Sequence, residues 1–178
     1  MLEQIYNLAV EGLGGRWQSA LACVLLVWVV ACYLVAAARL WVIDVREHRL
    51  PDRIVLPLYA LLGLPLFWVI LLASPDSFAQ TRQTAYGAAV MFGFYALMRL
   101  ASRGALGLGD VKLAGVLGLP LAYFSPLNLL WGNLLIFLTG GLYSLALILT
   151  RRATGRTHIA FGPFMLLGTT IALFFPAT

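Results

Sequence analysis

Apolar residues in this chain gather into six runs separated by short polar or charged stretches. The first covers 17–43, and within it 22 consecutive residues, 17–38, carry no charge. That is enough to cross a hydrocarbon core of about 30 Å as a helix. The others cover about 54–73, 84–98, 108–124, 127–150 and 159–175. The third is short and rich in glycine and alanine, and it and the fourth are the least pronounced. No repeat, low-complexity tract or linker interrupts the series. The pattern predicts an all-α integral membrane protein, a polytopic bundle of about six transmembrane helices forming a single domain over 1–178.

Composition agrees. Of 178 residues, 62% are hydrophobic and 11% charged, with a mean hydropathy of +0.92. Soluble domains carry about 25% charged residues, so lipid has to be the solvent for most of this surface. The net charge of +5 would suit a nucleic-acid binder if the basic residues formed a patch. They sit instead between the apolar runs, which excludes nucleic acid as the expected partner. Ten of the twelve lysines and arginines fall in the first, third and fifth connections: Arg39, Arg46, Arg49 and Arg53; Arg99, Arg103 and Lys112; Arg151, Arg152 and Arg156. Only Arg16 and Arg82 fall on the other side. Basic loops stay in the cytoplasm, which predicts those three connections inside and both termini outside. Ala36-Ala37-Ala38 resembles a signal-peptide cleavage site, but Glu3 and Glu11 precede the run with Arg16 alone. A signal would carry a basic start, so the run reads as a true span. Cys23 and Cys32 lie about 13 Å apart along one helix, too far to bridge, and form no CxxC pair.

Four of the seven acidic residues flank the inner side: Asp44, Glu47 and Asp52 around the first inner loop, and Asp110 at the start of the fourth run. Asp44 follows Trp41-Val42-Ile43 and is expected to close the first helix; Asp110 is expected to open the fourth. Both then sit at the inner membrane boundary. An aspartate at the centre of a span costs roughly 2.5–3.5 kcal/mol and marks a functional candidate. The plainer alternative is an interfacial carboxylate paired with a nearby arginine. The glycines of GALGLGDVKLAG, residues 104–115, add information. Gly104, Gly107 and Gly109 each weaken a helix by about 1 kcal/mol relative to alanine. Such density points to close approach of another backbone, or to an irregular segment lining a water-accessible cavity.

This stretch matches the GxGD motif of membrane aspartic peptidases, and its GDVKL continuation resembles type IV prepilin peptidases. IDVREHRLPDRIVLPL, residues 43–58, is similar to the first aspartate motif of that family, with Pro51 and Asp52 supplying its Leu-Pro-Asp step. HIAFGPFMLLG, residues 158–168, resembles the family's C-terminal signature. The resemblance implies an intramembrane-boundary aspartic endopeptidase with Asp44 and Asp110 catalytic, and with Gly107, Gly109, Lys112, Pro51 and Asp52 as supporting motif residues. It implies no cofactor and no metal. It implies membrane-inserted prepilins or pseudopilins as partners, cut at the cytoplasmic face of the inner membrane. Longer relatives carry paired CxxC motifs in a domain that methylates the new N-terminus; nothing comparable stands in this sequence, so methyltransferase activity is not expected.

The remaining candidates have plain readings. Lys112 is about 200° around a helix from Asp110 and reads as an interfacial anchor. Asp52, after Pro51, reads as an N-cap of the second helix. His48 and His158 have no ligand-spaced neighbours and read as loop and boundary residues. Gly162-Pro163 reads as a helix start or kink. The sharper alternative makes residues 159–162, with Phe161, Gly162 and Pro163, an extended edge that positions substrate. Two other function classes stay open: a small carrier or proton-coupled channel using the same aspartates, and an inactive assembly scaffold.

Overall fold

The computed structural model of the chain describes residues 1–104, 106–150 and 160–177. The basic cluster Arg151, Arg152 and Arg156, together with His158 and Ile159, lies outside them. The described residues form helices only: α1 (Leu2–Leu13), α2 (Trp17–Glu47), α3 (Asp52–Ala73), α4 (Ser77–Ala101), α5 (Leu108–Phe124), α6 (Pro126–Leu149) and α7 (Gly162–Phe174). The expected all-α membrane bundle is the observed one. Helices α2, α3, α4 and α6 are long and apolar enough to cross a membrane. The other two expected spans, α5 and α7, are shorter, at 17 and 13 residues.

Several helix ends follow from single residues. Asp76 caps α4 by accepting from the Ala79 N–H at 2.9 Å, and Ser125 caps α6 by accepting from the Asn128 N–H at 2.9 Å, with Pro126 in the first turn. Helix α4 begins at Ser77, a full two turns before the expected start at residue 84. Its extra turns carry Gln80 and Gln83, whose side chains donate to the carbonyls of Tyr123 and Ala122 at 3.1 and 2.6 Å. These glutamines satisfy the last carbonyls of α5, which a helix C-terminus otherwise leaves open.

Helix α5 is the axis of the bundle. From residue 111 to 123 every position except Lys112 and Leu119 is buried, because α3, α4, α6 and α7 all pack on it. The tightest contact is with α4. A Cβ placed on Gly118 would lie 2.5 Å from the Gly87 carbonyl oxygen and 2.8 Å from Ala88 Cα. Without hydrophobic drive between helices in lipid, such small-residue approach supplies the packing.

Helix α1 corresponds to no expected element. It is amphipathic, buries Met1 and Leu8, and donates from Gln4 Nε2 to the Tyr123 hydroxyl at 2.8 Å. It therefore crosses the end of the bundle where α5 finishes, opposite the end that holds Asp44 and Asp110.

Candidate active site

The site is assembled by three helix ends and one loop. Helix α2 does not close at Asp44; it runs one turn further, to Glu47, because Val45, Arg46 and Glu47 contain nothing that breaks a helix. It stops at His48, whose left-handed backbone (φ 51) lets its N–H bond the Asp44 carbonyl at 2.9 Å. Asp44 is consequently inside the last turn and only 4% exposed. Pro51, in the extended region, then hands the chain to α3.

Each of the two aspartates is held by the amide of a glycine. Asp44 Oδ2 accepts the N–H of Gly162, the first residue of α7, at 3.0 Å. Asp110 Oδ2 accepts the N–H of Gly107, the residue preceding α5, at 3.3 Å. A carboxylate at a helix N-terminus gains from both the free amides and the helix dipole. Glycine leaves room for the carboxylates in both places. A Cβ on Gly162 would stand 2.6 Å from Asp44 Oδ2, and one on Gly107 would stand 3.0 Å from Asp110 Oδ2. Gly109 serves a third approach: its Cβ would lie 2.7 Å from Leu50 Cβ and 3.1 Å from the Leu50 carbonyl oxygen. The first turn of α5 thereby seats against the α2–α3 loop. Gly107 and Gly109 thus mark close approaches, one of the two alternatives the sequence offered, whereas Gly104 takes a left-handed backbone (φ 90) with no close neighbour.

Those contacts bring Asp44 and Asp110 to the wall of one open cavity of about 690 Å³, shared with Glu47, His48 and Arg53. Burial, and after it the charge of Asp44, raises the Asp110 carboxyl above the ordinary carboxylate range. Asp44 is the one acidic or basic side chain among the buried described residues. No group of three or more His, Cys, Asp or Glu side chains among the described residues could hold a metal ion.

Two supporting residues behave differently from expectation. Asp52 is not an N-cap; Pro51 occupies that position, and the Asp52 side chain makes no capping bond. Both its oxygens instead meet Lys112 Nζ, at 2.8 and 2.7 Å. Lys112 does lie off the face of Asp110, and the face it occupies points at the start of α3, so it is an interhelical partner rather than a free lipid anchor. The pair ties α5 to α3 at the cavity rim, with the side chains 31% and 55% exposed. Solvated pairs of this kind contribute about 0.2–1 kcal/mol. Asp52→Ala and Lys112→Ala should each lower stability by no more than about 1 kcal/mol, and the double variant by no more than the worse single one. Thermal denaturation in detergent measures this, and additive losses would show that the two residues act separately.

The extended-edge alternative for residues 159–162 does not describe the observed segment where it is described. Phe161 has helical backbone angles (φ −89°, ψ −26°), and Gly162 and Pro163 form the first turn of α7. Proline is at home there because its missing N–H has no partner to lose. Phe161 packs against Tyr95 and Phe137, with ring centroids 6.2 and 5.9 Å apart. Gly162→Ala should leave the protein in the membrane yet displace the Asp44 carboxylate, with about a hundredfold fall in the rate of any reaction that uses it. A wild-type rate in that variant would show the Gly162 amide to be dispensable.

Leu50 and Tyr95 belong to the site without any signal in the sequence. Leu50 is the surface on which Gly109 and Gly162 close, and Tyr95 donates to Asn133 Oδ1 at 3.1 Å beneath the Asp110 side. A leucine in a loop and a tyrosine within a span look like any others until the helices are placed.

The sequence model of the type IV leader peptidase family matches residues 28–150, a stretch that includes both aspartates and ends before Gly162. Among curated proteins, the chain is similar to the prepilin leader peptidase/N-methyltransferase of Dickeya chrysanthemi, 31% identical over 171 residues. The alignment covers 93% of this chain and 55% of that protein, so the chain spans about half the length of the curated relative it matches. No solved structure matches the chain.

Proposed function

Since this chain belongs to the type IV leader peptidase family, we propose that it is an aspartic endopeptidase that removes the short basic leader from membrane-inserted type IV prepilins or pseudopilins. The observation that carries this reading is the shared cavity: two carboxylates from different helices, each pinned through one oxygen by a glycine amide, at one end of a membrane bundle.

Two carboxyl groups that line one cavity, with the charge of Asp44 acting on Asp110, cannot both ionise cheaply, so they share one proton and titrate as a pair. The ionised partner takes a proton from the attacking water, while the protonated partner donates to the oxygen of the scissile carbonyl. The gem-diol adduct then collapses by breaking the C–N bond: the proton taken from water passes to the departing amine, and one hydroxyl proton of the adduct returns to the carboxylate that donated to the carbonyl oxygen. The pair returns to its starting count of one proton. Because Oδ2 of each residue is engaged by an amide, the other oxygens are the ones that face the water.

The cavity lies at the end of the bundle that carries Arg46, Arg49 and Arg53. By the bias of basic residues toward the cytoplasm, this end faces inward in the inner membrane and both termini face outward. A basic leader reaching the cavity from the cytoplasm, followed by an apolar helix in lipid, places the scissile bond at its mouth. Membranes containing the protein should shorten a tagged prepilin precursor to a product that begins at the leader boundary. A precursor left intact, as in membranes without the protein, would overturn the reading.

A further inference from the structure

The site described so far holds the scissile bond but offers nothing to hold the membrane helix that follows it. Between α2 and α3, on the outer face of the bundle, runs a second cavity of about 390 Å³. Its lining is apolar along its length, and small residues of α2, Ala31, Cys32 and Ala36, line it together with Pro57 of α3. Trp28 stands at one end and Arg39 at the other, eleven residues or about 16 Å apart along α2. Arg53 lines this groove and also the cavity of the two aspartates. Arg53 therefore borders both spaces.

We infer that this groove seats the apolar helix of the membrane-anchored substrate; the inference rests on the peptidase reading above. Small residues let a second helix approach closely in lipid, and a helix lying there ends beside Arg53, which also lines the aspartate cavity. Asp44 is five residues, about 7.5 Å, beyond Arg39 along α2. Two or three extended residues span that interval at about 3.3 Å each. The bond cut is accordingly a short extended stretch ahead of the first helical turn held in the groove. The other lipid-side hollow, between α4 and α6 near Ala79 and Pro126, opens at the far end of the bundle and leads to no carboxylate. The groove between α2 and α3 is the one of the two that shares a lining residue with the aspartate cavity.

Cys32 provides a native probe. The full chain carrying Asp110→Asn and Cys23→Ser is placed in membranes with precursors bearing single cysteines at successive positions of their apolar helix, and thiol crosslinking is scored. Crosslinks to Cys32 should recur at helical spacing along one face of the substrate. Absent crosslinks, or crosslinks equal at all positions, would overturn the inference and leave the groove to lipid. The second arm compares cleavage of the anchored precursor with cleavage of a soluble peptide that spans the same bond and lacks the helix. Val35→Trp, which fills the groove, should lower the precursor-to-peptide rate ratio by at least about tenfold, while Leu134→Trp on the exposed face of α6 should not change it. An unchanged ratio in Val35→Trp overturns the groove alone. Failure of the wild-type chain to cut either substrate overturns the peptidase reading, with the crosslinking pattern still deciding the groove.

Discussion

Asparagine at Asp44 or at Asp110 should reduce leader cleavage by about 10³-fold or more while the protein still accumulates in membranes. General acid–base assistance contributes about 10²–10⁴-fold per group, and each aspartate is assigned one half of a single proton exchange. The substitution isolates that chemistry. An asparagine Oδ1 can still accept the Gly162 or Gly107 amide that now bonds the carboxylate, so the helix ends keep their anchors. At position 44, which is 4% exposed, the amide also removes a buried charge, so thermal stability should not fall. Because the two groups act as a unit, the double variant should be no slower than the worse single one. The check is the initial rate of precursor shortening, normalised to the protein present. A rate within tenfold of wild type in either single variant would remove the two-carboxylate mechanism, whatever else the cavity does.

The largest structural effect is expected at Gly118. Leucine there would drive its Cβ to 2.5 Å from the Gly87 carbonyl oxygen and 2.8 Å from Ala88 Cα. Both are main-chain atoms of α4, so no side chain can swing aside and α4 must separate from α5. Overpacking of a tight core costs about 1–3 kcal/mol even where side chains absorb it. With backbone on the other side, the expected outcome is loss of the folded protein from detergent extracts. Gly93→Ala is the matched control, in the middle of α4 with nothing within 4 Å of the new Cβ; it should be neutral or gain up to about 1 kcal/mol from helix propensity. Monodisperse recovery and melting temperature together measure both. Normal recovery of Gly118→Leu would mean that the α4–α5 contact does not hold the bundle together.

What could be read from the sequence follows from what lipid demands of it. A span needs a long apolar run, so α2, α3 and α6 were legible to within a few residues. Helix α1 was not, because twelve residues containing Glu3, Gln4, Asn7 and Glu11 carry no such run, and only tertiary contacts make it a helix against α2 and Tyr123. The start of α4 was hidden for a related reason. Gln80 and Gln83 look like loop residues by polarity, yet they are consumed by the carbonyls of a neighbouring helix. Within the site, Asp44 and Asp110 stood out as carboxylates beside apolar runs, and the glycines around Asp110 correctly signalled close approach. The Gly162 amide on Asp44 joins residues 118 positions apart in the chain, and local rules saw only a proline-marked helix start. Asp52 was misassigned because an N-cap is a local explanation, whereas Lys112 comes from another helix.

The brevity of α5 has a physical outcome of its own. Seventeen residues rise about 25 Å, several ångströms less than a typical hydrocarbon layer of about 30 Å. A helix bathed in acyl chains would have to thin the bilayer around itself, but this one is sheathed by its neighbours and meets almost no lipid. Its first turn, Leu108 to Asp110, lines the open cavity instead. Water entering that cavity from the membrane surface would bring the proposed peptidase its second reactant without crossing hydrocarbon.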